Sequence, residues 1–264
     1  MEIAQLVDQA IHASLLAGEK IMKVYTSNDF EIVWKNDLSP LTKADRDAHL
    51  QILEILEPTQ IPILSEEGIH LIYDERKRWN NFWLVDPLDG TKEFIRRNDE
   101  FTVNIALIHN CHPVAGVIYV PVTGVLYAGI PGIGSYKLLN PDENCTFQTM
   151  QLSGIKLPQE TKQNEFVIVT SRSHKNQETE AFIENLRKEH GAIQVISKGS
   201  SLKICMIAEG TANMYPKLGP TMEWDTAAGH AIVKASGKNV YQTDQKTELQ
   251  YNKENLLNPH FFVL

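Results

Sequence analysis

Cysteine is scarce in this sequence: three in 264 residues, Cys111, Cys145 and Cys205, far apart and without a C-x-x-C pair. That spacing argues against a disulfide framework or a thiolate zinc site and fits reduced thiols filling a core. Long apolar runs are also missing. Nowhere do about 18 apolar residues follow one another, so no membrane-spanning helix is expected, and the first residues show no basic segment leading into an apolar stretch, so no secretory leader is expected. Positive charge is not in excess: Lys and Arg number 25 against 33 Asp and Glu, a formal charge of −8. With basic residues dispersed, the chain has no sequence-independent attraction for nucleic acid, and an anionic substrate must be held by local groups. There is no internal repeat, heptad array or low-complexity tract. The expectation is a cytoplasmic protein acting on a small molecule. Loose attachment to the cytoplasmic face of the inner membrane and the oligomeric state are left open.

What is present is enough for a large core or two abutting ones, since 42% of the residues are hydrophobic. Apolar residues from Ile3 to Tyr25 recur at helical spacing and predict a long amphipathic helix over about 2–25. A second helix is expected from Leu41 to Leu56, opened by Thr42-Lys43-Ala44-Asp45, a capping box with Asp in place of Glu or Gln. Strands are expected at 61–64, 82–85, 101–108, 114–120 and 125–130, with a turn at 121–124; without helices between them they predict antiparallel pairing. From 137 to 161 the chain reads as polar and loop-like. Beyond it come a strand at 166–170, a helix at about 175–190, a strand at 193–197, a helix at 200–209, a strand at 211–215 and a helix at 225–235. That alternation predicts an α/β lobe, 161–264, joined to a larger α+β lobe, 1–160.

The most informative stretch is Asp86-Pro87-Leu88-Asp89-Gly90-Thr91, directly after the apolar run Phe82-Trp83-Leu84-Val85. Proline restricts the residue before it and lacks an N–H, so the strand is expected to end here and present both acids at its end. Gly90-Thr91 then opens a short helix, whose first N–H groups can receive an anion. Three other acidic segments stand at predicted strand ends or helix starts: Asp45, Glu66-Glu67, and Asp225 after Trp224. Oxygen-only ligation, with no His or Cys at ligand spacing, favours Mg²⁺ or Mn²⁺ over zinc. Each acid also has a plainer reading. Asp45 serves as a capping acid, Asp225 as a helix N-cap, and Glu66 and Glu67 as solvated loop charges; His174 and His230 are read as structural or substrate-facing rather than as ligands.

Two motifs, Asp86 to Thr91 as D-P-[IL]-D-G-T and Trp224 to Ile232 as W-D-x-A-A-G-x-x-[IV], resemble the magnesium-dependent, lithium-sensitive inositol monophosphatase superfamily. Thr91-Lys92-Glu93-Phe94, Thr170 to His174, Gly199 to Lys203 and Leu218 to Thr221 are similar to its bisphosphate nucleotidase branch. The resemblance covers nearly the whole chain and is thinnest over about 138–165. It implies a layered α-β-α-β-α sandwich of the inositol monophosphatase and sugar phosphatase type, with most metal ligands on the larger lobe and Asp225 and nucleotide contacts on the smaller. It also implies that Glu66, Asp86 and the Leu88 carbonyl hold one Mg²⁺, that Asp86, Asp89 and Asp225 hold a second, and that a third, weaker ion sits near Glu66, Mn²⁺ being a possible substitute. Glu66 is chosen over Glu67 because the family ligand lies twenty positions before the first motif aspartate. Asp45 and Thr91 match the pair that orients the attacking water.

The activity implied is hydrolysis of the 3′-phosphate of adenosine 3′,5′-bisphosphate to AMP, with 3′-phosphoadenosine 5′-phosphosulfate as a further substrate, in sulfate assimilation. The route is direct in-line attack of a metal-activated water with no phospho-enzyme, since two residues separate Asp86 from Asp89 where the aspartyl-nucleophile motif has one. Glu66, Leu88, Asp89, Gly90, Thr91 and Asp225 would face the substrate's cleaved end, while Ser171, His174, Ser200, Lys203 and Lys217 would face the nucleotide. Lys217 stands where an arginine is common in relatives, which leaves bidentate phosphate binding there open. Two other readings stay open: a phosphatase of the same superfamily acting on inositol or sugar phosphates, against which Lys92-Glu93 speaks, and a non-catalytic sensor of metal and nucleotide.

Overall fold

The computed structural model describes residues 2–27, 30–34, 40–69, 71–159, 165–172 and 177–264. The first helix, α1 (Ile3–Ser27), lies against α2 (Lys43–Leu56). Thr42 caps α2 as its sequence foretells: its hydroxyl accepts the Ala44 N–H at 3.2 Å, and Asp45 Oδ2 accepts the Thr42 N–H at 2.7 Å. Together the two helices cover one face of a seven-stranded sheet in the order β3-β4-β5-β6-β7-β8-β9. Its strands are β3 (Ile63–Ser65), β4 (Asn81–Asp89), β5 (Thr102–His109), β6 (His112–Val120), β7 (Val125–Ile130), β8 (Gly134–Leu139) and β9 (Ile155–Leu157). The short strands β1 (Val33–Trp34) and β2 (Pro40–Leu41) pair with each other, and α3 (Tyr73–Arg76) lies between β3 and β4.

Both faces of the large sheet are buried, and strand alternation sorts its side chains. Trp83, Val85, Ile105 and Val117 join the core under α1 and α2, while Phe82, Leu84, Ala106 and Ile118 join a second core under α7 (Leu202–Glu209) and α8 (Trp224–Ala235). Beyond α7 stand two small sheets. The first pairs β10 (Phe166–Ser171) and β11 (Ile193–Lys198) in parallel, and the second has the order β12 (Tyr215–Lys217), β14 (Phe261–Val263), β13 (Val240–Gln242). Helix α6 (Gln177–His190) lies outside β11. The stacking is an α-β-α-β-α sandwich.

The antiparallel meander holds from β4 to β9, but β3 pairs parallel to β4, because the chain crosses back through α3 before β4 begins. The segment read as polar loop, 137–161, carries α5 (Phe147–Ser153) and β9: Phe147 and Met150 are buried anchors in an otherwise polar run. The strand expected at 211–215 begins only at Tyr215: Thr211 and Ala212 close the end of α7 on the Met206 carbonyl, and Met214 makes an isolated bridge to Ile168 of β10. Strands β13 and β14 had no counterpart in the sequence reading. Among the described residues no helix is long and apolar enough to cross a membrane.

Helix α8 positions one side of the site, and glycines on the sheet let it approach. A Cβ on Gly116 would lie 2.2 Å from the Ala228 carbonyl oxygen, and one on Gly129 would lie 2.8 Å from Ile232 Cα. Bare backbone on β6 and β7 therefore seats α8 directly on the sheet, with its N-terminus and Asp225 beside the end of β4.

Candidate metal centre and active-site cavity

Strand β4 does not end at Asp86. It runs through Asp89 with a register shift: Asp86 pairs with Asn104 and Asp89 with Thr102, so Pro87-Leu88 form a bulge against β5. Residues three apart on a regular strand point to opposite faces, and the extra residue of a bulge re-aims one of them, so both carboxylates open into the same cavity. Pro87 needs no ladder partner there. Gly90 follows at φ +93, a conformation L-residues rarely adopt, and starts the five-residue helix α4 (Thr91–Ile95).

The cavity, about 280 Å³, is lined by Glu66, Asp86, Leu88, Asp89, Gly90 and Thr91 from the large sheet, and by Ser171, Arg172, Lys198 to Ser201, Lys203, Lys217 and Asp225 from the C-terminal half. At its base, carboxylate oxygens of Glu66, Asp86 and Asp225 lie within 4.8 Å of one another. Asp86 is 1% exposed, and its Oδ1 accepts the Leu88 N–H at 3.1 Å. Burial pushes its carboxyl well above the usual range, and the charges of Glu66, Asp89, Asp225 and Glu67 push it further. Asp225 is raised for the same reasons, burial first and then Asp89 and Glu66, although it accepts the Met222 N–H at 2.8 Å. Three acids held this close in a buried wall repel one another unless a cation lies between them, and hard carboxylate oxygens suit a hard divalent ion. The donor set fits such an ion.

Asp89 stands apart from that trio. Its Oδ2 accepts hydroxyl protons from Ser200 at 2.7 Å and Ser201 at 2.8 Å, with the Asn104 amide at 3.4 Å. The Leu88 carbonyl accepts from Thr91 Oγ1 at 3.3 Å, and the same hydroxyl reaches Asp45 Oδ1 at 3.1 Å. Asp45 thus both caps α2 and holds Thr91, its second oxygen taking Thr42 Oγ1 at 2.5 Å. Burial raises its carboxyl to about 6, with the Thr42 and Thr91 hydrogen bonds opposing the shift and Glu66 adding to it.

Of the nucleotide-facing candidates, Ser171, Ser200, Lys203 and Lys217 line the cavity, while His174 lies outside the described residues. The Lys203 ammonium donates to the Ser200 carbonyl and sits 5.5 Å from the Tyr215 ring centroid; burial lowers its pKa, against the pull of Asp89, Glu93, Asp225 and Glu100. Lys217 is lowered to about 8, by burial and then by Lys203, with Asp225 and Asp89 opposing. His230 is buried away from the cavity, bonded to Tyr251 and Asn239. The sequence reading gave no role to Asn104, Ser201, Arg172 or Lys198. Asn104 did carry a signal, a lone amide inside the apolar run 103–108.

A fold of stacked helices and sheets with an oxygen-rich cavity at their junction defines a class, and comparison with known proteins gives the same class. The inositol monophosphatase family matches residues 2–260, and the chain belongs to that family. Among curated proteins it is similar to the 3′(2′),5′-bisphosphate nucleotidase CysQ of Salmonella typhimurium, 43% identical over 98% of this chain and 99% of that one. CysQ of Escherichia coli K12 is 41% identical over the same shares. Among solved structures, CysQ of Bacteroides thetaiotaomicron superposes with a TM-score of 0.91 at 51% identity, covering 99% of this chain and 97% of the other. SuhB of Bartonella henselae, 22% identical with a TM-score of 0.74 over 98% and 93% of the two chains, shares the fold.

Proposed function

We propose that this chain is a Mg²⁺-dependent 3′(2′),5′-bisphosphate nucleotidase that hydrolyses the 3′-phosphate of adenosine 3′,5′-bisphosphate, yielding AMP and inorganic phosphate. The observation that carries it is the meeting, in one cavity, of the Glu66–Asp86–Asp225 cluster, the Asp45-bound hydroxyl of Thr91, and two buried lysines, Lys203 and Lys217. The names of the similar proteins supply the substrate. 3′-Phosphoadenosine 5′-phosphosulfate carries the same 3′-monoester and is a second substrate in this reading, which places the protein in sulfate assimilation in the cytoplasm.

Glu66, Asp86, the Leu88 carbonyl, Asp89 and Asp225 would hold two to three Mg²⁺, with Mn²⁺ as a substitute. When bound, such ions neutralise charge on the phosphoryl oxygens and make water a better nucleophile at neutral pH. The protein's own groups do the rest. Asp45, ionised, accepts the Thr91 proton, which leaves the Thr91 oxygen as an acceptor able to fix one O–H of the attacking water. Gly90 and Thr91 open the α4 turn toward the cleaved phosphate. Lys203 and Lys217 supply positive charge for the nucleotide, with Ser171 and Ser200 facing the sugar and base; His174, outside the described residues, is assigned to the same end by its motif alone. Residues 1–160 would form the lobe with most ligands, and 161–264 the lobe bringing Asp225 and the nucleotide contacts.

The purified protein should release phosphate from adenosine 3′,5′-bisphosphate only with Mg²⁺ or Mn²⁺, and Asp89→Asn should not. Acid quench of a turnover with 3′-³²P-labelled substrate should leave no label on protein. A labelled aspartate, or no release by the wild type, would refute the proposal.

A further inference from the structure

Glu100 lies in the loop between α4 and β5, outside every motif of the sequence, yet its carboxylate, 9% exposed, gathers donors from three residues on two segments. Arg172, just after β10, binds it as a fork, Nε at 2.7 Å and Nη2 at 2.8 Å. Lys198, the last residue of β11, approaches at 3.2 Å, and the Gly199 N–H donates at 2.7 Å. The site on Gly199 is shaped for this contact: a Cβ there would lie 3.0 Å from Glu100 Cβ and 2.9 Å from Glu93 Cγ. The residues that follow, Ser200 and Ser201, are the ones whose hydroxyls hold Asp89 Oδ2. Ser200 sits at φ +49, a backbone conformation that surrounding contacts must maintain. The Ser200 hydroxyl also meets Thr102 Oγ1 at 2.6 Å, and the Asn104 amide donates to Ser201 Oγ at 2.9 Å.

From these contacts we infer that Glu100 is a positioning residue for Asp89: by clamping Gly199 against the large sheet it fixes the two serine hydroxyls that set the orientation of the Asp89 carboxylate in the candidate metal centre. The inference rests on the metal-dependent reading of the site. Glu100 touches neither the acid trio nor the cavity floor, and acts through one backbone N–H and two successive residues. Its partners Arg172 and Lys198 neutralise it, so it adds no net negative charge to the centre. Partners that orient metal ligands characteristically alter metal affinity or turnover by about 10–100-fold when removed.

The test uses the whole protein with three variants. Glu100→Gln retains an oxygen for the Gly199 N–H but loses the charge that holds Arg172 and Lys198, and Glu100→Ala loses both. Glu209→Gln serves as a control, because Glu209 is a carboxylate paired with Tyr127 at 2.6 Å and Lys137 at 2.5 Å outside the cavity. Mn²⁺ binding is read directly by electron paramagnetic resonance, beside the Mg²⁺ concentration at half-maximal phosphate release and the melting temperature. The expected result is weaker Mn²⁺ binding and a higher half-saturating Mg²⁺, by about 10-fold in Glu100→Gln and up to about 100-fold in Glu100→Ala. Glu209→Gln should lose thermal stability only. Should Glu100→Ala fail to fold, Glu100→Gln decides alone. Unchanged metal binding and half-saturation in the folded Glu100 variants would overturn the inference, as would an equal shift in Glu209→Gln. A wild type that neither binds Mn²⁺ nor releases phosphate would instead overturn the functional reading on which it rests.

Discussion

Replacing Asp86 with Asn should make the metal-free protein more stable while removing its response to metal. Asp86 is buried with two carboxylates whose oxygens lie within 4.8 Å. At an effective dielectric near 20, each like-charge pair at that distance costs about 3 kcal/mol, an upper bound because the cluster relieves part of it by binding protons. Asn keeps the oxygen that accepts the Leu88 N–H, so the bulge in β4 survives. The gain should be about 2–4 kcal/mol at pH 8, a rise in melting temperature of roughly 5–10 °C for a chain of this size. The sign with pH follows from linkage. The folded-state pKa of Asp86 is raised, so the folded protein binds more protons than the unfolded one, and wild-type metal-free stability falls as pH rises above the unfolded value. The advantage of Asp86→Asn should therefore be largest at pH 8 and shrink toward pH 5. Thermal unfolding with EDTA and with Mg²⁺ reads both effects. A variant that melts at or below the wild type in EDTA at pH 8, or one that Mg²⁺ still stabilises as strongly as the wild type, would refute the reasoning.

Thr91→Ala should lower kcat by at least about 100-fold with Mn²⁺ binding changed only a few-fold, because Asp45 keeps its Thr42 bonds and the hydroxyl proposed to orient the attacking water is lost; a large loss of Mn²⁺ binding would move Thr91 into the ligand set. Gly116→Ala places a methyl 2.2 Å from the Ala228 carbonyl, so α8 must lift, and chemical denaturation should show a loss of at least about 1–3 kcal/mol together with weaker metal binding. Lys203→Ala should raise KM for adenosine 3′,5′-bisphosphate far more than for a simple phosphate monoester; equal effects on both would remove Lys203 from nucleotide recognition.

The long elements are legible because their patterning is strong: α1, α2, α6, α8 and strands β4 to β7 stand close to where apolar spacing and the Thr42 capping box put them, while β8 (Gly134–Leu139) has no counterpart among the expected strands. The misses have local causes. Asp-Pro reads as a strand end, but a strand can carry proline where a bulge removes the need for its N–H, and β4 does so. Residues 137–161 are mostly polar with scattered apolar residues at no clear period, of which Cys145, Phe147, Met150 and Leu157 are the buried ones that dock α5 and β9. Strands β12 to β14, three residues each, are too short to show a period, although Tyr215, Val240, Phe261 and Val263 join the second core. Within the site, the acids are visible in the sequence because they sit in short motifs. Glu100 stands in no motif, and Arg172, though inside Thr170 to His174, gains no role from it, since their partners lie 72 to 99 residues away; Asn104 shows only as a lone amide in an apolar run, its partner Ser201 lying 97 residues on. The clamp exists only once β10, β11 and the α4–β5 loop have met.

The most direct measurement is kcat/KM with Mg²⁺ for adenosine 3′,5′-bisphosphate, 3′-phosphoadenosine 5′-phosphosulfate, inositol 1-phosphate and fructose 1,6-bisphosphate, with Asp89→Asn as the blank. A strong preference for the two 3′-phosphorylated nucleotides, abolished in the blank, is the expected result. A preference for inositol or sugar phosphates would contradict it.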